Sequence, residues 1–253
     1  MTETPLEKYR QEADDRIKTY ADNEGLQSAK EEFFNQIGIG KADYVYNFFW
    51  LGVPIIQIPQ DLQAMQEMIW AVKPDLIIEA GVAWGGSIVF SASMLAILEA
   101  CNAIQDGLVV GVDIDIRAHN RENLNQHPLS HKYQLIEGSS IDPEVVDQVK
   151  EIAKEKQRVM VFLDSNHTHD HVLAELRHYA PMVPVGGYIM VGDTVIESAP
   201  DTMTSERPWN KTNNPKTAVW QFVKENPNFV IDKEMEAKIV LTGSPDGFLK
   251  RIL

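Results

Sequence analysis

The amino-acid sequence predicts an α/β protein built around a mostly parallel β-sheet. From Asp75 onward, short apolar runs typical of strands alternate with longer runs of helical periodicity, which is the pattern of successive βαβ units. The chain has 253 residues, 44% of them hydrophobic, which is enough to bury a substantial core. The last two strand-like runs are joined by a short connection, and a short connection favours antiparallel pairing. We therefore expect a parallel sheet that ends in an antiparallel hairpin.

Seven segments are predicted as strands: DLIIEA (75–80), LVVGVD (108–113), YQLIEG (133–138), VMVFLD (159–164), GYIMVGD (187–193), NFVIDK (228–233) and AKIVLT (237–242). Helical patterns separate the first five, and a further helix at TAVWQFVKEN ends before Pro227. A seven-stranded sheet of this kind is the outline of the Rossmann-like class I methyltransferase core.

The segment that precedes this pattern has a different composition. Residues 1–73 open with a charged helical stretch and continue with the aromatic-rich YVYNFFWLGVPIIQIPQD. We predict a helical N-terminal cap or oligomerisation segment here, and a catalytic domain at 74–253. The aromatic residues have two interpretations. They cover a sheet edge or subunit interface, or they form part of an acceptor pocket, since ligand sites are mostly apolar; they are Tyr44, Tyr46, Phe48, Phe49 and Trp50.

Charge and composition exclude several classes of protein. The 23 Lys and Arg residues are outnumbered by 37 Asp and Glu residues, giving a formal net charge of −14. Such a chain repels a phosphate backbone, so nucleic acid is a poor partner. The first residues lack the pattern of a signal peptide, and the apolar runs are too short to span a bilayer, so a soluble cytoplasmic protein is expected. The single cysteine, Cys101, lies in an apolar helical run and is expected in the core.

A glycine-rich turn follows the first predicted strand of the sheet. Its glycines allow a sharp turn and let a ligand approach the amino end of the next helix, which favours an anion. The spacing is G-x-x-x-G-G rather than the dinucleotide pattern G-x-G-x-x-G. An acidic residue just before the turn repels a pyrophosphate but suits the ammonium group of S-adenosylmethionine (SAM). The predicted cofactor contacts in this segment are Glu79, Gly81, Trp84, Gly85, Gly86 and Ser87.

The next two predicted strands also end in polar residues. Asp113 and Asp115 stand where a carboxylate can accept the hydroxyl groups of a ribose. Strand alternation directs Asp113 to the strand end, whereas a residue placed like Asp115 is more often only solvated. SAM and NAD share this feature, so it indicates an adenosine ligand without naming the cofactor. Glu137, Ser139 and Ser140 lie at the end of the third strand, where they border the adenine; alternatively, the two serines cap the helix that begins at Pro143.

Several motifs together resemble the cephalosporin hydroxylase and rhamnosyl O-methyltransferase family, over roughly residues 46–253. The motifs, in chain order, are WLGVPIIQIPQDL, PDLIIEAGVAWGGS, VVGVDIDIRAHNRENLNQHPLS, IEGSSID, FLDSNHTHDHVLAELRHYAPMV and GYIMVGDT. The resemblance implies a SAM-dependent O-methyltransferase that acts on a hydroxyl group of a small molecule such as a sugar or natural product. It also implies Mg²⁺ and a homo-oligomer.

The resemblance places metal ligands at Asp164 and Asp193, and Asp164 also beside the cofactor. These residues end neighbouring strands, about 4.8 Å apart, so their carboxylates should converge. Without a cation the two charges would repel each other, whereas Mg²⁺ binds one or two carboxylates and keeps its waters. This chain has Gly192 where the family usually has Glu. Either Asp164, Asp193, water and His167 suffice, or tight metal binding has been lost.

The histidines of FLDSNHTHDHV are predicted to differ in role. A zinc hydrolase site is disfavoured, because the spacing is one residue short of H-x-H-x-D-H. His167 is the predicted general base, although a histidine at the start of a helix is often only a polar cap. His169 and His171 are expected to be solvated or to pack. Two other functions compete with methyl transfer: an NAD-dependent oxidoreductase, and a noncatalytic partner subunit that binds SAM.

Overall fold

The central sheet has seven strands in the order β5-β4-β3-β6-β7-β9-β8, and the first five of these are parallel. We describe a computed structural model, which covers residues 4–38, 41–200 and 204–253. The last strand, β9, is antiparallel to both of its neighbours. The predicted sheet class is therefore confirmed. The sheet strands are β3 (Leu76–Ala80), β4 (Leu108–Asp113), β5 (Tyr133–Glu137), β6 (Val159–Leu163), β7 (Tyr188–Val191), β8 (Phe229–Ile231) and β9 (Phe248–Arg251).

Helices cover both faces of the sheet. One face packs against α6 (Pro143–Ala153), α7 (His169–Tyr179) and α8 (Pro215–Glu225), and the other packs against α3 (Pro59–Val72), α4 (Gly86–Ala100) and α5 (Ala118–Gln126). Strand β3 shows why its sequence is largely apolar. Leu76 and Ile78 join the core on the first face, whereas Ile77 joins the core on the second. Successive side chains point to opposite faces, so a strand covered on both sides is apolar at nearly every position, and Glu79 is the charged residue of β3.

The prediction of a second hairpin strand at AKIVLT is wrong. The residues of AKIVLT do not form a strand, because α9 (Lys233–Ile239) occupies the first half of that segment and residues 240–242 are irregular. The Asp232 side chain caps this helix by accepting a hydrogen bond from the Met235 backbone N–H at 3.0 Å, and two glutamates in the first turn favour its dipole. The antiparallel partner of β8 is instead β9, which inserts between β8 and β7.

The N-terminal segment contains a hairpin as well as helices. Helices α1 (Pro5–Lys18) and α2 (Glu24–Ile37) precede an antiparallel pair, β1 (Phe48–Trp50) and β2 (Val53–Ile55). The hairpin packs on α4, where the Trp50 ring lies 4.8 Å from the Phe90 ring and its Nε1 donates to Ser93 Oγ at 3.0 Å. By contrast, no residue of α1 or α2 is fully buried. The hairpin thus belongs to the main core, and the two helices lie on its surface.

Helix α4 is the apolar helix that follows the glycine turn, and most of its residues are buried. Cys101 lies just beyond the end of α4, as its C-cap, and is exposed. The prediction that Cys101 packs in the core is therefore wrong, because the apolar run outlasts the helix by a turn that faces solvent. Within the described ranges, no helix combines the length and the apolar character needed to cross a membrane.

Candidate active site

The predicted site residues meet at the carboxyl edge of the sheet, where β3, β4, β6 and β7 end. The glycine turn between β3 and α4 lies against the segment that follows β6. Gly81 has φ +98°, and a Cβ on it would lie only 2.1 Å from the carbonyl oxygen of Asp164. Gly85 also has a positive φ, and a Cβ there would meet the Leu124 side chain. Glycine is required at both positions, because no other residue fits this turn.

Asp113, the predicted ribose ligand, organises the glycine turn. Its Oδ2 accepts hydrogen bonds from the backbone N–H groups of Val82 at 2.8 Å and Ala83 at 3.1 Å. Its Oδ1 accepts from the backbone N–H of Asp115 at 3.1 Å. Each carboxylate oxygen has further lone pairs, so the same group can still accept a ribose hydroxyl. Asp115 is largely exposed beside it, and faces Arg117.

Glu79 is buried between β3 and α4, with 2% of its surface exposed. The hydroxyl of Ser91 donates to its Oε2 at 3.2 Å, and Ser87 donates to the same carboxylate. Burial raises the pKa of Glu79 to about 7, against which the two serine hydrogen bonds act. Ser87 therefore has a partner inside the protein, and the contact of Glu79 with the SAM ammonium group stays a prediction.

We expect the buried Glu79 carboxyl to make stability fall as pH rises. Its pKa is raised from about 4.5 in the unfolded chain to about 7 in the folded protein, so the folded protein holds the proton more tightly. The stabilisation is fully present below the unfolded pKa and is lost as pH rises through the folded pKa. In urea unfolding, the free energy of unfolding should fall between pH 5 and pH 8 by about 2–3 kcal/mol more in the wild type than in Glu79→Gln.

Asp61 makes stability fall with pH in both proteins, because burial raises its pKa to about 7 as well. An Asp61→Asn variant should therefore reduce the slope that remains in Glu79→Gln. Parallel pH profiles for the wild type and Glu79→Gln would contradict the assignment for Glu79.

The two serines after β5 do not cap the next helix. Asp142 is the N-cap of α6, and its side chain accepts from the Glu144 N–H at 2.9 Å, so the alternative of a serine cap is wrong. Ser140 is buried, and its hydroxyl points to Glu175 and His171 of α7 rather than to solvent. Ser139 is only partly buried, and Trp84 in the glycine turn is 41% exposed. Among these, Ser139 and Trp84 are thus the side chains with surface left for a ligand.

Asp164, His167 and Asp193 form a cluster at the ends of β6 and β7. Each offers one ligand atom, and these atoms all lie within 4.8 Å of one another. His167 Nε2 is 3.2 Å from Asp193 Oδ2, and the His167 ring packs edge-on to Trp209 with 5.8 Å between centroids. The carboxylates of Asp164 and Asp193, expected to converge because their strands are neighbours, do lie close together. Among the described residues this is the group of acidic and histidine side chains able to hold a metal ion together.

Asp164 lies in an environment that disfavours its charge. Burial, followed by the neighbouring Asp193 carboxylate, raises the pKa of Asp164 to about 7. His167 and Gln57 act in the opposite direction, and Gln57 Nε2 donates to Asp164 Oδ2 at 3.0 Å. A carboxyl group with these neighbours gains most from a nearby cation.

Gly192 explains how Asp164 fits beside β7. A Cβ on residue 192 would lie 2.7 Å from Asp164 Oδ1 and 2.8 Å from its carboxyl carbon. A glutamate at this position would therefore displace the Asp164 carboxylate from its present place. Glycine at position 192 thus leaves to Asp164 the space that the glutamate expected from the resemblance would fill.

The two later histidines pack, as expected. His169 joins α7 to α8, since its Nδ1 is 2.8 Å from Thr217 Oγ1 and its Nε2 is 3.0 Å from Gln221 Oε1. His171 is directed into the protein, with Nε2 3.0 Å from Ser140 Oγ. Neither residue belongs to the Asp164 cluster.

Several side chains at this edge were not predicted as site residues. Gln57 comes from the segment before α3, and Trp209 comes from the segment before α8. Ile114 is 74% exposed between Asp113, which ends β4, and Asp115. An aliphatic residue between two aspartates at the end of a predicted strand is the sequence signal that could have identified it. Of the five aromatic residues, Tyr46 is the one placed near the cluster, since burial and then Asp193 raise the pKa of its phenol. Trp50 instead packs on α4.

A cavity of about 700 Å³ lies at the opposite edge of the sheet and is not part of this site. It is lined mainly by polar residues near the amino ends of the strands. Lys132 Nζ is 2.6 Å from Glu99 Oε1, Asp75 accepts from the N–H of Arg158, and Arg158 Nε donates to the carbonyl of Lys73. Its main charged side chains are therefore satisfied within the protein.

The sheet order and the site at its carboxyl edge define the fold of the class I methyltransferases. The model of the Rhamnosyl O-methyltransferase/CmcI family matches residues 42–252, and the chain belongs to this family. The resemblance found in the motifs is thereby confirmed. Among curated proteins, the rhamnosyl O-methyltransferase of Mycobacterium tuberculosis is 29% identical over 220 residues, which cover 82% of each chain. That of Mycobacterium leprae is 26% identical over 213 residues, covering 83% of this chain and 86% of the relative.

Solved structures share the fold at low sequence identity. A CmcI structure with Mg and SAM has a TM-score of 0.57 and 18% identity, and the match covers 85% of this chain and 81% of that one. An O-methyltransferase from Bacillus cereus in complex with SAH has a TM-score of 0.51 and 14% identity, with 82% of each chain covered. These matches agree with the fold described above.

Proposed function

We propose that this protein is a SAM-dependent O-methyltransferase that methylates a hydroxyl group of a sugar or natural product, assisted by Mg²⁺. The observation that carries the proposal is the Asp164, His167 and Asp193 cluster. It lies across the carboxyl edge of the sheet from the glycine turn that Asp113 organises. Family membership supports the reaction class, and the relatives named rhamnosyl O-methyltransferase support a glycosyl acceptor.

The residues of the glycine turn and of β4 are proposed to hold the adenosine and methionine parts of the cofactor. Asp113 and Asp115 would accept the ribose hydroxyls, while Ile114 offers an exposed aliphatic surface to the adenine. Glu79, with Gly81 to Ser87, would receive the methionine end at the start of α4. Placing the methyl donor and the acceptor together supplies much of the rate enhancement.

The Asp164 cluster is proposed to bind and deprotonate the acceptor. The reaction forms an O–C bond to the acceptor and breaks the S–C bond of the sulfonium, and the hydroxyl proton leaves. His167 is the proposed base for this proton, and Asp193, 3.2 Å from its Nε2, orients the ring and stabilises its protonated form. Tyr46 and Trp209 line the acceptor side.

The cluster fits a magnesium ion in the chemistry of its donors. Carboxylate oxygens are the ligands that Mg²⁺ prefers in proteins, and one oxygen of each aspartate lies within 4.8 Å of the other and of His167. Asp164 and Asp193 would hold it, with water in place of the missing glutamate oxygen. A bound Mg²⁺ supplies Lewis acidity that makes the acceptor hydroxyl easier to ionise.

Two measurements test the proposal. Titration calorimetry should detect micromolar binding of S-adenosylhomocysteine and no comparable binding of NAD. Incubation with methyl-labelled SAM and a panel of rhamnosides and other glycosides should transfer label with Mg²⁺ and not with EDTA. Binding of NAD alone would favour the oxidoreductase. Binding of S-adenosylhomocysteine with no transfer to any hydroxylated acceptor would favour the noncatalytic subunit.

Gln57 should affect the metal affinity of the site, because its amide donates a hydrogen bond to Asp164 Oδ2. Removing such an outer hydrogen bond typically weakens metal affinity about 10-fold to 100-fold. We expect Gln57→Leu to lower Mg²⁺ affinity by about tenfold, measured by calorimetry on the protein saturated with S-adenosylhomocysteine. The matched control is Gln63→Leu, an exposed position on α3, which should leave the affinity unchanged. Equal affinities for both variants would contradict the role of Gln57.

The location, biological role and assembly of the enzyme are further parts of the proposal. We propose that it works in the cytoplasm, in natural product biosynthesis, as a homo-oligomer whose N-terminal segment 1–73 contributes to assembly. Exposed apolar side chains on α1, Leu6 and Tyr9, support a role in assembly. Gln57 and the hairpin β1–β2 indicate that the later part of this segment also serves the catalytic domain.

A further inference from the structure

A buried polar cluster joins the two loops that flank the ends of β3 and β4. Glu175 of α7 has no exposed surface. Its Oε1 accepts hydrogen bonds from Ser165 Oγ, at 2.6 Å, and from Ser140 Oγ. His171 Nε2 lies 3.4 Å from the same oxygen and 3.0 Å from Ser140 Oγ. We call these four residues the Glu175 clamp.

The clamp joins two loops whose strands are far apart in the sheet. Ser140 follows β5 and Ser165 follows β6, and these strands are three places apart in the sheet order, or about 14 Å at the usual strand spacing. Their hydroxyl groups nevertheless meet at one carboxylate oxygen. The two loops therefore converge on α7, beside the ends of β3 and β4, where the glycine turn and Asp113 lie.

The clamp is also connected to the site itself. Ser165 follows Asp164 directly, and the backbone of these two residues lies against Gly81, where a Cβ would be 2.1 Å from the Asp164 carbonyl oxygen. On the other side, the Tyr179 hydroxyl donates to the Ser140 carbonyl at 2.7 Å. A shift of either serine would thus move the loop that contacts the glycine turn.

Burying a carboxylate is costly unless several donors satisfy it. Here both hydroxyl groups and the imidazole are directed at Oε1, and Oε2 has no partner among the described residues. The arrangement is not that of a nucleophilic triad, in which serine and carboxylate contact opposite nitrogens of the histidine. All three partners of Glu175 instead gather at one oxygen, which suits a device that holds loops together.

We propose that Glu175 is a positioning residue for the cofactor, which sets the width of the adenosine crevice by holding the loops of Ser140 and Ser165 together. The inference rests on the proposed SAM-dependent function. It assigns Glu175, His171 and Ser165 to cofactor affinity, although none of them needs to touch the ligand. The Ser140 hydroxyl then acts through Glu175 rather than on the adenine.

Titration calorimetry with S-adenosylhomocysteine tests the clamp, because it separates folding from affinity. The fitted stoichiometry reports the folded fraction, whereas the Kd reports the site. We expect Glu175→Leu to raise the Kd by at least about tenfold, since two hydroxyl groups lose their acceptor. Glu175→Gln keeps an acceptor oxygen and should stay within about threefold of the wild type. Ser165→Ala and Ser140→Ala each remove one bond, and should each raise the Kd by a smaller factor.

The control is Tyr188→Phe, which deletes a hydrogen bond of 2.7 Å to Asp232, away from the crevice. It should lower stability and leave the Kd unchanged. If Glu175→Leu does not fold, the Kd values of the two serine variants decide the question. An unchanged Kd in the serine variants and in any folded Glu175→Leu overturns the clamp. A wild type that does not bind S-adenosylhomocysteine overturns the proposed function, and the clamp with it.

Discussion

Asp164→Asn should lower methyl transfer by about 10³-fold, a loss of several kcal/mol of transition-state stabilisation. Asp164 lies at the centre of the cluster formed with His167 and Asp193, and the amide that replaces its carboxylate is a poor ligand for a hard cation. The fold should survive, because Asn keeps the shape of the side chain and can still accept the hydrogen bond from Gln57. Initial rates with saturating SAM and Mg²⁺ measure the effect.

The stability of this variant separates catalysis from folding. Burial and Asp193 raise the pKa of Asp164 to about 7, so its ionised form opposes folding at pH 8. The free energy of unfolding of Asp164→Asn at pH 8 should therefore equal or exceed that of the wild type. Asp170→Asn, an exposed aspartate in the first turn of α7, is the matched control and should keep its activity within about twofold. Retention of more than a tenth of the activity by Asp164→Asn would remove this carboxylate from the mechanism.

Gly81→Ala should destabilise the protein by roughly 3–5 kcal/mol, from two separate causes. The residue has φ +98°, and its new Cβ would lie 2.1 Å from the carbonyl oxygen of Asp164 and 2.6 Å from the carbonyl carbon. Both backbones are held, since Gly81 N donates to Val112 O and Asp164 N donates to Ala80 O, each at 2.8 Å. The turn cannot relax without breaking the sheet edge. Urea unfolding with an unchanged m value gives the loss directly.

Gly186→Ala isolates the cost of the backbone conformation. Gly186 has φ +83°, and a Cβ there would have nothing within 4 Å. The Gly186→Ala variant should therefore lose only about 1–2 kcal/mol of its free energy of unfolding, the usual cost of an alanine in the left-handed conformation. The difference between the two variants measures the steric part at Gly81. Equal losses would mean that the contact with Asp164 yields easily, and that the glycine turn is not fixed by the loop after β6.

The strands of the sheet and its class could be predicted because their signals are local. A strand covered on both faces, such as β3, is apolar at nearly every position, and β4, β6 and β7 also appear in the sequence as such runs. The turn at Gly81 and Gly85 was equally readable, since only glycine accepts its backbone. The last strand could not be predicted from AKIVLT, because this run of apolar and β-branched residues lies nearest to β8 in the chain but straddles the end of the helix that Asp232 caps.

By itself, the sequence determined the parallel part of the sheet and the family. It also predicted which side chains gather at the carboxyl edge: Asp164 and Asp193 as proposed ligands of a cation, and Asp113 with the glycine turn as the proposed nucleoside site. Only the tertiary structure decided what each of these groups contacts. Gln57 reaches Asp164 across 107 positions of the chain, Asp113 binds the turn 30 residues before it, and Ser140 meets Glu175 after 35. No periodicity encodes such pairs, because they depend on how the strands are ordered in the sheet and on which loops packing brings together.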